Sequence, residues 1–109
     1  MIGLCSISNI LVAKIFGKTN GGPGLGLTLG GTTEGYPYRD AVICAESMGN
    51  EVVFPGFDGL AHDHRNHIVT APAYLYDGTP CETFESVRKM VEATCHYVMR
   101  RRILVNPIL

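Results

Sequence analysis

Apolar residues fall in short runs along this chain, divided by clusters of glycine, proline and polar residues. Residues 1–5 form one such run and predict a strand. Residues 9–16 are apolar except for Asn9 and Lys14, and Gly17 follows, which predicts a buried helix of about two turns with a glycine stop. Residues 19–26 are a Gly/Pro-rich loop; residues 25–29 alternate weakly and predict a strand ending at Gly30-Gly31. A polar loop over 32–37 leads to a helix from Tyr38 or Arg39 to Met48, with Ala41, Val42, Cys44, Ala45 and Met48 facing inward and Gly49 as its stop.

The second half reads in the same way. Residues 51–54 predict a strand closed by Pro55-Gly56, and residues 59–64 and 67–71 predict the arms of a hairpin with a polar turn at 63–66. Thr79, Pro80 and Glu82 make a helix start, with threonine as N-cap, proline in the first turn and glutamate three positions on. Phe84, Val87, Val91, Cys95 and Val98 then recur at helical spacing, so a helix over about 80–100 should bury that stripe. Alternation of strands and helices indicates an α/β layer fold with a largely parallel sheet.

Composition narrows the function classes. At 109 residues and 46% hydrophobic, the chain is at most one globular domain with a modest core. A formal net charge of −1 argues against general nucleic-acid binding, and Arg100, Arg101 and Arg102 read as a solvated helix end. No apolar stretch is long enough for a membrane span, and no secretory signal is visible. Cys5, Cys44, Cys81 and Cys95 lack paired spacing, so a cysteine zinc site is not expected and free thiols in a reducing compartment are. No cofactor is implied.

Several clusters invite chemistry. His62, Asp63, His64 and His67 would place two histidines on one side of a strand, as metal ligands or simply as a polar hairpin turn; the second reading is preferred, since no Cys or Glu lies nearby in sequence. Gly21-Gly22-Pro23-Gly24-Leu25-Gly26 fits neither phosphate-loop spacing and reads as a connection. Glu34, Glu46 and Asp58 are isolated carboxylates, and Tyr36, Tyr38, Tyr74 and Tyr76 are scattered packing residues. Gly3-Leu4-Cys5-Ser6-Ile7 has the form of a strand running into a helix, where a turn exposes a thiolate and the helix N-terminus stabilises it. A lone cysteine is also, more often, a small buried apolar residue.

The segment from Ile2 through Cys5 to Phe16 resembles the nucleophile-elbow segment of ElbB-type proteins of the ThiJ/PfpI (class I glutamine amidotransferase-like) superfamily. The similarity continues in order through Leu27-Thr28-Leu29-Gly30, Tyr36-Pro37-Tyr38, Ala45-Glu46-Ser47-Met48-Gly49 and His67-Ile68-Val69-Thr70-Ala71-Pro72-Ala73-Tyr74. It implies part of a flavodoxin-like three-layer sandwich over residues 1–103, with 104–109 as a tail, and a cytoplasmic or mitochondrial location. It further implies Cys5 as nucleophile toward a small carbonyl compound, with glyoxalase- or deglycase-type chemistry, and backbone N–H groups of Ser6 and Ile7 as oxyanion donors.

The same resemblance exposes departures. The N-terminal half of such domains, with its acidic residue, has no counterpart in this sequence. Ser6 and Gly31 stand where relatives carry histidines, and Asn9 where they carry a proline. The expectation is therefore either a domain completed by a complementing half or a homo-oligomer, or a non-catalytic structural or interaction domain of the same family.

Overall fold

The computed structural model describes residues 1–31, 36–56 and 59–105, with side chains through Arg100. The elements are β1 (Ile2–Cys5), α1 (Ser8–Phe16), a short 3-10 turn (Lys18–Asn20), β2 (Gly26–Leu27), α2 (Arg39–Ser47), β3 (Glu51–Val52), β4 (Ala61–Asp63), β5 (Ile68–Ala71), a second 3-10 turn (Ala73–Leu75) and α3 (Pro80–Val105). β1 lies parallel to β5, with Ile2 opposite Ile68 and Cys5 opposite Ala71. β4 pairs antiparallel with β5 on its other side, and β2 and β3 form a separate parallel pair. This is a mixed α/β architecture with a mainly parallel sheet and one hairpin, compatible with part of a flavodoxin-like fold.

Period-two side-chain alternation sorts the core into two layers. Leu4 and Ile68 join Val12, Ala13, Leu25, Leu27, Leu29, Val42, Ala45 and Leu75 beneath α1 and α2. Their chain neighbours Cys5 and Val69 point the other way, to Ala71 and Met90 beneath α3. The β2–β3 pair is joined to the larger sheet by side chains more than by a ladder. Thr28 N donates to Thr70 Oγ1 (3.0 Å), and Asn9 Nδ2 donates to both Thr28 O and Ala71 O (2.9 Å each). That substitution of side chain for strand explains why β2 is two residues long where alternation predicts five.

Two helices differ from expectation in the face they bury. On α2, Val42 and Ala45 are buried but Cys44 is exposed. On α3, Thr79 and Glu82 cap each other reciprocally as expected (Glu82 N to Thr79 Oγ1, 3.2 Å; Thr79 N to Glu82 Oε1, 2.9 Å). The buried face of α3, however, is Thr83, Ser86 and Met90, followed by the partly buried Ala93, Thr94 and Tyr97. Phe84, Val91 and Val98, in the predicted inward stripe, are 64%, 50% and 46% exposed, and Cys95 is exposed.

The reason is how closely α3 lies on the sheet. A Cβ built at Gly3 would fall 2.3 Å from Thr94 Oγ1 and 2.5 Å from Met90 Sδ, so the contact face must be made of small or bendable side chains. Ser86 adds specificity, since its buried Oγ accepts from Ala73 N (3.0 Å). α3 also runs on through Val105, so Leu104 and Val105 belong to the helix and not to a tail. The expectations for the 32–35 part of the polar loop, Glu34, Asp58 and residues 106–109 lie outside the described residues.

Candidate functional site

The strand-to-helix turn after β1 is built as follows. Cys5 is the last strand residue, Ser6 has a left-handed backbone (φ 57°), and α1 begins at Ser8. Such a φ on a non-glycine residue costs on the order of 1 kcal/mol and must be held by its surroundings. Here Ser6 N–H donates to Ala71 O (3.2 Å) and Ser6 O accepts from Asn9 N (3.1 Å). Ser8 Oγ closes the turn by donating to Cys5 O (2.6 Å). The left-handed position of this turn is Ser6, one residue beyond Cys5, and both residues are half-buried.

Cys5 is half-buried, and its side chain packs with Val69, Ala71 and Met90 under α3. Of the two expected oxyanion donors, Ser6 N–H is committed to Ala71 O, which removes it from that role. The N–H groups of Ile7 and Ser8 have no acceptor among the described residues, as befits the first turn of a helix. Ser8 was not legible as a donor because the pattern starts the helix one residue later. The Gly31 position is occupied by its neighbour: a Cβ there would sit 3.0 Å from the Tyr36 ring.

The histidines are brought together, but elsewhere. His62 and His64 stack with centroids 5.9 Å apart, and Tyr97 of α3 hydrogen-bonds His64 Nδ1 at 2.7 Å. Burial, then repulsion from His64, holds the His62 pKa below its ordinary value. His67 has φ 59° and offers its carbonyl to Ile2 N (2.9 Å). The cluster lies at β4, with β5 between it and β1: His62 is level with Gly3 through Val69, and Asp63 with Ile2 through Ile68. No group of three or more metal-ligating side chains forms among the described residues.

Asp63 has a structural task in the same region. Its Oδ2 accepts from Gly26 N and Asn66 Nδ2 (2.8 Å each), and its Oδ1 from Asn66 N (3.0 Å), tying β2 to the hairpin. Burial raises its pKa, but the hydrogen bonds from the Asn66 side chain and from Gly26, Asn66 and Arg65 N–H groups outweigh it, and the net shift is downward. The carboxylate therefore contributes stability above its unfolded pKa of ~3.9, lost as pH falls through the lower folded value. Asp63→Ala should cost about 2 kcal/mol in urea denaturation at pH 7, and the loss should shrink toward pH 3.

Three tyrosines that look scattered in sequence meet at the elbow end. Tyr38, Tyr74 and Tyr76, with Thr83, Phe84 and Val87, line an open cleft of about 500 Å³. A second open cleft of about 670 Å³, lined by Lys18, Asn50, Glu51, His62, Asp63 and His64 among others, lies at the histidine end. No described helix is long and apolar enough to cross a membrane.

No protein-family model and no curated protein matches the chain. Among solved structures it is similar to an isoprenoid biosynthesis protein with an amidotransferase-like domain from Ehrlichia chaffeensis, with a TM-score of 0.67 and 16% sequence identity over 85% of this chain. The chain spans 37% of that protein's length. At this identity the likeness concerns the fold alone: the α/β layer described above is arranged like part of that protein.

Proposed function

We propose that this chain acts as an interaction domain built on an amidotransferase-like layer, and not as a self-sufficient carbonyl-processing enzyme. The observation that carries this reading is the packing of Cys5 beneath α3, with the strained turn position taken by Ser6. Two further facts support it. In the sheet, His62 sits two strands across from β1 at the level of Gly3, with β5 between it and Cys5, and a general base must come within hydrogen-bond reach of the proton it removes. Of the expected inward stripe of α3, Phe84, Val91, Cys95 and Val98 are outside, available to another polypeptide, and only Val87 packs against the core.

Thiol labelling tests the reading. With limiting iodoacetamide at pH 6 to 8, read by mass spectrometry, Cys44, Cys81 and Cys95 should modify first and the half-buried Cys5 last. Preferential labelling of Cys5 at the acid end of that range would sink the proposal.

A catalytic reading has one observation in its favour: the free N–H groups of Ile7 and Ser8 at the start of α1. In that version the Cys5 thiolate adds to an aldehyde carbon, forming a C–S bond while the carbonyl oxygen takes the negative charge, held by Ile7 N–H and then protonated to a hemithioacetal. A complementing polypeptide would have to supply the base for the next proton transfer. A reversible methylglyoxal adduct on Cys5, read by mass spectrometry and absent in Cys5→Ser, would establish it; no adduct on Cys5, or adduct formation unaffected by Cys5→Ser, would not be compatible with it.

A further inference from the structure

Segments remote in sequence bring four aromatic rings to one opening. Tyr38 stands at the start of α2, Tyr74 in the second 3-10 turn, Tyr76 just after it, and Phe84 near the start of α3; all four line the cleft of about 500 Å³. None of the residues lining it belongs to β1 or α1.

The turn that carries Tyr74 holds that ring out in solvent. Ala73 and Leu75, on either side of it, are 2% exposed, yet Tyr74 between them is 72% exposed. Ala73 keeps a left-handed backbone (φ 48°), which is unfavourable for a residue with a Cβ and persists only where the surroundings fix it. They do so here: Ala73 N donates to the buried Ser86 Oγ (3.0 Å) and Leu75 N to Pro72 O (2.9 Å). Strain and buried anchors together present an aromatic side chain to water, the reverse of what packing alone selects.

Tyr76 is also held in place. Its ring packs on Tyr36 with centroids 5.3 Å apart. It lies against Gly78, where a Cβ would fall 2.7 Å from the ring and 3.2 Å from Glu82 Oε1. The glycine therefore admits a ring and a carboxylate to the same place.

Charge decides what such a cleft holds. Its lining has no Lys, Arg or His; its charged side chain is the carboxylate of Asp77, and the Glu82 carboxylate stands beside Gly78. A helix N-terminus ordinarily favours an anion. At α3, however, Glu82 N is taken by Thr79 Oγ1 (3.2 Å) and Thr83 N by Thr79 O (3.0 Å). Aromatic faces attract cations through the ring quadrupole. A primary ammonium is strongly hydrated and gives up its water reluctantly. A quaternary ammonium spreads its charge over methyl groups and suits an aromatic lining better.

We infer that this cleft binds a small organic cation bearing a quaternary ammonium group, of about the size of choline, among the rings of Tyr38, Tyr74 and Tyr76, with Asp77 as the counter-charge. Its volume is that of a small-ligand site. The inference goes beyond the interaction-domain reading and uses none of the chemistry of Cys5.

Titration of the full chain with choline tests it. The chain has five tyrosines and no tryptophan, and three of the five line the cleft with Tyr36 behind them, so tyrosine fluorescence reports on this place. Choline should give a saturable change with a millimolar dissociation constant. Ethanolamine and the neutral isostere dimethylbutanol should each bind about 10-fold more weakly or worse. Tyr74→Leu keeps apolar surface at an exposed position and removes the ring; it should weaken choline about 10-fold with circular dichroism unchanged. Asp77→Asn should weaken choline about 3-fold and leave the neutral isostere unaffected. No saturable response to choline overturns the inference. So does equal binding of the neutral isostere, which would make the cleft a merely apolar one, or choline binding that survives Tyr74→Leu. Thiol labelling reads Cys5, which does not line this cleft, so the two readings fail separately.

Discussion

Asn9→Asp should make the protein more stable at pH 4 than at pH 7. Asn9 is fully buried, and its amide donates to the carbonyls of Thr28 and Ala71, clamping α1 onto both strand pairs. A carboxylate there has no proton to donate and faces two carbonyl oxygens in a dry site. Only the protonated acid can replace one of the two bonds. Its folded pKa must therefore rise above the unfolded value of ~3.9, so stability is retained below that value and lost as pH climbs through the folded pKa.

Asn9→Ala, with no titrating group, should lose about 3 kcal/mol at all pH values, from two carbonyls losing a donor and from the cavity. Urea melts at pH 4 and pH 7 separate the two variants. A pH-independent Asn9→Asp would show that the clamp is not closed in solution. The unpartnered Asn9 Oδ1 fits this account, because the site is arranged around the two donated bonds and not around the acceptor.

Gly3→Ala should destabilise by about 2 kcal/mol, and Gly3→Val by more, although Gly3 lies in an edge strand where larger residues are normally favoured. The added Cβ meets Thr94 Oγ1 and Met90 Sδ well inside van der Waals contact. Met90 can swing its sulfur aside. Thr94 can rotate only by giving up the bond from its hydroxyl to Met90 O (2.8 Å). Gly3→Ala combined with Thr94→Ala should therefore be less destabilised than the sum of the two single changes, by about 1 kcal/mol in chemical denaturation. Strict additivity would mean that α3 does not approach β1 as closely as described.

Both predictions come from residues that the sequence pattern noticed for other reasons. Gly3 attracted attention as part of an elbow, and Asn9 as a substitution for an expected proline. Their measurable roles are a helix seat and a clamp between sheets. Neither is visible from spacing, because each depends on an element more than 60 residues away in the chain, α3 for Gly3 and β5 for Asn9.

The sequence by itself determined the order and type of the elements. Gly17, Gly49 and the Thr79–Glu82 capping pair act within a turn of themselves, so they mark helix ends whatever the tertiary fold does. The two-residue alternation that separates Leu4 from Cys5 and Ile68 from Val69 is likewise local, and it fixed which residues go to which layer.

Tertiary structure decided the rest. It chose the small-residue face of α3 over the apolar stripe, because a glycine in β1 admits a helix at short range and branched or aromatic side chains would hold it off. It shortened β2 by giving Thr28 a side-chain partner, placed the left-handed turn on Ser6 one residue beyond Cys5, and set His62 two strands across from β1 with β5 between them. Each of these outcomes is set by the distance between elements remote in sequence, a quantity that hydrophobic periodicity does not encode.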